Sequence, residues 1–79
     1  MAVYLDIKKS AETAQIVEYT YATTDLRMGR FTIDRQSGET SLIECADGEA
    51  EESLYQRASF KIKKAWKSGD LPDSTCWAS

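Results

Sequence analysis

The chain reads as an α+β fold: an antiparallel β-meander of three to four strands followed by one C-terminal helix packed on the sheet. Three observations predict it. Apolar and polar residues alternate with period two at the start and again around Phe31. β-Branched and aromatic residues crowd the first half. Residues 48–68 contain no proline and space their apolar side chains at helical intervals. A run of strands followed by a helix buries one face of the sheet under that helix.

Residues 2–8 open the meander, with Val3, Leu5 and Ile7 alternating against Tyr4, Asp6 and Lys8 as in a half-buried strand. The polar residues 9–12 are expected to turn the chain. Residues 14–23 return as the second strand, carrying Ile16, Val17, Tyr19, Thr20 and Tyr21. Val17, Tyr19 and Tyr21 share a face. A helix over 11–18 competes, and the Tyr-Thr-Tyr run argues against extending it. Residues 28–35 and 39–45 form a hairpin, in which Phe31 and Ile33 alternate with Arg30, Thr32 and Asp34. Within Arg35-Gln36-Ser37-Gly38-Glu39, Gly38 suits the left-handed position of a short loop.

Residues 48–68 are expected to be the helix. Leu54, Tyr55, Ala58, Ile62, Ala65 and Trp66 fall within about 120° at helical spacing. Asp47 is a candidate N-cap, Glu49, Glu51 and Glu52 follow in the first turns, and Gly69 then Pro72 mark the stop. The remaining residues, 69–79, read as a tail. Leu71, Pro72 and Trp77 are expected to pin it, with the Trp77 ring packing back on the sheet or helix. All 79 residues are assigned to one domain.

Composition narrows the function. Histidine is absent, as is asparagine, which removes imidazole bases, Ser-His and Cys-His pairs and N-glycosylation acceptors. No apolar run approaches the ~20 residues of a membrane helix, and no membrane is expected among the partners. The first residues carry no basic segment and reach Asp6 quickly, so no signal peptide is expected and the cytoplasm is the simplest location. Cys45 and Cys76 are then expected to be free thiols, buried or incidental, with a bridge from tail to body as the alternative. Gly29 and Gly38 are isolated, and Asp47-Gly48-Glu49 lacks the spaced ligands of a calcium loop. The expectation is a protein with no catalytic residues, no cofactor and no metal.

The net charge of −3 conceals a segregation. Residues 31–53 carry seven acids against Arg35, whereas residues 54–79 carry five bases against Asp70 and Asp73. Complementing the helix dipole explains much of this. The sharper reading starts from Arg57, Lys61, Lys63, Lys64 and Lys67, which lie away from the apolar stripe with no acid four residues before them. Phe60 projects from the middle of that basic face, as an interface anchor or a base-stacking platform would. Nucleic acid is the weaker partner, since the isoelectric point is about 4.8. A protein suits a small surface of both signs better. Glu49 and Glu52, within the acidic segment, could meet a basic partner. Trp77, if exposed, would serve as anchor in place of Phe60. The open sheet face, with Tyr4 and Thr20 on it, also admits a homodimer.

Met28-Gly29-Arg30-Phe31-Thr32-Ile33-Asp34-Arg35-Gln36-Ser37-Gly38-Glu39 and the ending Leu71-Pro72-Asp73-Ser74-Thr75-Cys76-Trp77-Ala78-Ser79 cover about a quarter of the chain. They resemble short bacterial proteins of unassigned function that combine a Gly-x-x-x-Ile-Asp…Gly-Glu hairpin with a C-terminal Trp-Ala-Ser tail. The resemblance implies strands followed by a helix in a small bacterial protein, and it supplies no activity, cofactor or catalytic residue. Small acidic proteins of this build are similar to immunity or anti-toxin partners, by analogy of fold and size. The sequence therefore points to a protein-binding domain of interaction or accessory type. The alternative is nucleic-acid binding through the basic helix face.

Overall fold

A computed structural model describes residues 4–23, 27–44 and 53–78. The strands are β1 (Tyr4–Glu12), β2 (Ile16–Thr23), β3 (Met28–Asp34), β4 (Thr40–Glu44) and β5 (Ser74–Ala78), with helix α1 (Ser53–Lys67) between β4 and β5. They form one antiparallel sheet in the order β4-β3-β2-β1-β5.

The period-two pattern sets which face is covered. Leu5, Ile7, Val17, Tyr19, Tyr21, Phe31 and Ile33 are fully buried on one face, against Leu54, Ala58 and Ile62 of α1. Phe31 is the hub: its ring stacks on Tyr19 at 5.9 Å and meets the edge of Tyr55 at 5.8 Å. Among the described residues no helix covers the opposite face, and Tyr4, Met28 and Ile43 are exposed.

Two expectations are corrected. Residues 9–12 do not turn; β1 runs on to Glu12, with its register shifting between Lys9 and Ala11. The polar side chains there suit an exposed strand end, where Ser10 Oγ donates to Glu18 Oε2 at 2.8 Å. The turn belongs to Thr13, whose hydroxyl accepts from the Ile16 N–H at 3.0 Å while its own N–H donates to the Ile16 carbonyl at 2.7 Å.

The second correction is larger. The antiparallel meander with one helix packed on it is as expected; what changes is the tail, part of which, Ser74–Ala78, is a fifth strand. Leu5 faces Trp77 and Ile7 faces Thr75 in an antiparallel pair that continues the sheet beyond β1. Five residues pairing with a strand some seventy positions away leave no local signature, and the alternation of Thr75 and Trp77 is too short to distinguish strand from coil.

The chain reaches β5 through a helix stop of Schellman type. Gly69 adopts φ +81°, its N–H donates to the Trp66 carbonyl at 2.9 Å, and the Asp70 N–H donates to the Ala65 carbonyl at 3.1 Å. Leu71 packs on the core, and the Tyr19 hydroxyl donates to the Pro72 carbonyl at 2.7 Å. The start of the predicted helix, residues 48–52, lies outside the described residues, as does Asp47.

Burial raises the Tyr19 hydroxyl to about 12. A phenol harder to ionise in the folded chain adds stability that is complete below the unfolded value of ~10 and is lost as pH rises through about 12. Stability measured by urea unfolding should therefore decline across that window, and Tyr19→Phe should flatten the decline. An equally steep decline in Tyr19→Phe would assign it to other groups.

Candidate interaction surface

Helix α1 divides into flanks as its spacing dictates. Leu54, Ala58 and Ile62 meet the sheet. One flank leans toward β3 and β4: the Tyr55 and Thr40 hydroxyls lie 2.9 Å apart, and Trp66 Nε1 donates to the Arg35 carbonyl at 2.7 Å. On the other flank, spacings of three and four residues bring Arg57, Phe60, Lys61 and Lys64 together, facing the β5 edge.

Phe60 is 61% exposed, and its ring stands edge-on to Trp77 at 6.3 Å and 88°. Trp77 is half-buried, packs on the core, and is held in place by its pairing with Leu5. Its Nε1 is buried without an acceptor among the described residues, so packing rather than a hydrogen bond fixes the indole. Gln56, Arg57, Phe60 and Trp77 line an open groove of about 400 Å³ between helix and edge strand. Phe60, Lys63, Lys64 and Lys67 line a second hollow of about 250 Å³. Phe60 is thus a ridge between two hollows, each bordered by cations.

None of Arg57, Lys61, Lys63, Lys64 and Lys67 is in an ion pair among the described residues. The cleft at the far end of the sheet differs. There Lys9, Glu12, Arg35, Trp66, Gly69 and Leu71 enclose about 330 Å³. Lys9 Nζ lies 3.0 Å from Asp73 Oδ1 and 3.6 Å from Glu12, and Glu12 also pairs with Arg35. The Asp73 hydrogen bond leads in raising the Lys9 ammonium above its usual value, against the opposing effect of desolvation. These charges satisfy one another and clamp the approach to β5 against β1. The cations of α1 have no such partners among the described residues.

Phe60 and Trp77, read from sequence as alternative anchors, are in contact. Lys64 and Lys67 are exposed, whereas Arg57, which lines the groove, and Lys61 are half-buried rather than fully on the outer face. Glu49 and Glu52 lie outside the described residues, as does Cys45. Cys76 is a free thiol, as the sequence leads one to expect, and it is exposed on the face away from the helix rather than buried. Sequence reasoning missed Gln56 and the main-chain edge of β5, because both depend on recognising Ser74–Ala78 as a strand. No family model, curated protein or solved structure matches the chain.

Proposed function

We propose that this chain is a small cytoplasmic binding module for another protein, of interaction or accessory and immunity-like type, without catalytic activity. Phe60 carries the reading. A large apolar ring on the solvent side of a helix, backed edge-on by a fixed Trp, is the kind of rigid aromatic that dominates binding energy at interfaces. The cations around it, without ion-pair partners among the described residues, add register and on-rate toward an acidic partner surface. A second reading rests on Phe60 with Lys63, Lys64 and Lys67, a grouping that would suit stacking on single-stranded nucleic acid. The chain's net charge of −3 weighs against it.

The test is retention of partners from a lysate of the cells that encode the chain, with and without nuclease, at ~50 and ~200 mM salt. A protein held in every arm and released by Phe60→Ser supports the protein-binding reading. Retention abolished by nuclease, or falling by orders of magnitude with salt, would instead support nucleic acid. Phe60→Ser removes one aromatic contact, costing about 0.5–1.5 kcal/mol beyond the small area it buries, and a thermal melt of the variant separates lost binding from unfolding.

A further inference from the structure

We infer that the edge of β5 accepts an acidic, extended segment of a partner protein as a sixth strand, with its side chains read by the α1 flank. The inference deepens the protein-binding reading and rests on it. Its first support is the ladder geometry. Lys8 pairs with Ser74, and the Lys9 N–H donates to the Asp73 carbonyl at 2.8 Å. Bonded and non-bonded pairs alternate along an antiparallel ladder, so Asp73, Thr75 and Trp77 turn their peptide groups toward β1. Ser74 and Cys76 turn theirs outward, where β5 is the last strand among the described residues. An unpaired strand edge is a template for another chain.

The second support is where an added strand would lie. Alternate side chains point to one face, so those flanking the level of Thr75 and Trp77 would enter the groove lined by Gln56, Arg57, Phe60 and Trp77. The third is charge. Arg57 lines that groove, Lys61 follows it one helical turn on, Lys64 lines the neighbouring hollow beside Phe60, and none of the three has an ion-pair partner among the described residues. A strand with an apolar residue against Phe60 and Trp77, and carboxylates two positions to either side, satisfies both the apolar floor and the cations. Main-chain hydrogen bonds supply affinity, and the alternate side chains supply selectivity.

The probe is a displayed library of random twelve-residue peptides, selected against the intact chain at ~50 mM salt and repeated at ~200 mM. Enriched sequences should carry an apolar residue flanked by Asp or Glu at alternate positions. Amide shifts on binding an enriched peptide should fall on Ser74–Ala78 and the Arg57–Lys64 flank. Cys76→Pro is the decisive variant. It removes an outward-facing N–H and none of the donors to β1, so the fold should keep its melting temperature within a few degrees. Affinity for the peptide should nevertheless fall by about tenfold or more. Reversing the flank with R57E, K61E and K64E together should weaken acidic peptides by a similar factor and leave neutral ones unaffected.

Binding that Phe60→Ser abolishes but Cys76→Pro leaves intact would overturn strand addition while preserving the protein-binding reading. No enrichment, or enriched peptides without acidic bias, would also overturn it. So would a dimer of the chain that Cys76→Pro converts to monomer, because a second copy would then occupy the edge.

Discussion

Phe31→Ala should lower the unfolding free energy by about 3–5 kcal/mol, the usual cost of deleting a buried Phe ring. The ring is fully buried and touches Tyr19, Tyr21 and Tyr55, whose centroids lie 5.8 to 6.1 Å away. Those neighbours cannot close the space readily. Tyr19 is tied to the Pro72 carbonyl and Tyr55 lies against the Thr40 hydroxyl, so collapse inward would break hydrogen bonds. A domain of 79 residues has a total stability on the order of 4–12 kcal/mol. The melting temperature should therefore drop on the order of 12–40 °C, with Phe31→Leu intermediate. A drop below about 5 °C would mean that the four-ring cluster repacks, and that Phe31 is not the hub.

Gly38→Ala should cost roughly 2–4 kcal/mol, from two sources that can be separated. Gly38 sits at φ +75°, where a Cβ brings roughly 1–2 kcal/mol of backbone strain. A Cβ there would also lie 2.5 Å from Trp66 Cζ3 and 2.6 Å from Cε3. The indole would have to move, endangering its 2.7 Å bond to the Arg35 carbonyl. In a Trp66→Ala background only the backbone strain remains, so the two substitutions should show coupling of at least about 1 kcal/mol in a double-mutant cycle. Full additivity would place the whole cost in the backbone. Under the proposed protein-binding role, the position also bears on the candidate surface. Trp66 anchors the C-terminal half of α1 to the β3–β4 turn, and a helix loosened there changes the groove that Phe60 and Arg57 form with Trp77. Partner binding should weaken in Gly38→Ala even at temperatures where the chain remains folded.

The β3–β4 turn also shows why that hairpin was legible. Asp34 Oδ1 accepts the Gln36 N–H at 2.8 Å and the Ser37 N–H at 3.2 Å, and the Gly38 N–H donates to the Asp34 carbonyl. Those backbone donors hold the Asp34 carboxyl below its usual value. Every participant lies within five residues of the others, so the turn residues and their spacing carry the information. The same holds for the Gly69 helix stop, and for the alternation that buries Val17, Tyr19 and Tyr21 together. Where local chemistry was ambiguous the reading failed. Residues 9–12 are polar enough to turn, yet pairing with β2 keeps them extended, since a ladder partner outweighs weak local preference.

The candidate surface divides along the same line. Helical periodicity alone determined that Phe60 stands opposite the core stripe and that Arg57, Lys61 and Lys64 share a flank with it, because positions three and four apart must be neighbours on a helix. Only the tertiary structure decided what that flank faces. Pairing of Ser74–Ala78 with Tyr4–Lys8 carries Trp77 to the Phe60 ring, makes β5 the last strand of the sheet among the described residues, and directs Cys76 away from the core. Such a contact joins segments from the two ends of the chain, and it is settled by burial and main-chain pairing summed over the whole sheet rather than by the preferences of the five residues that form the strand.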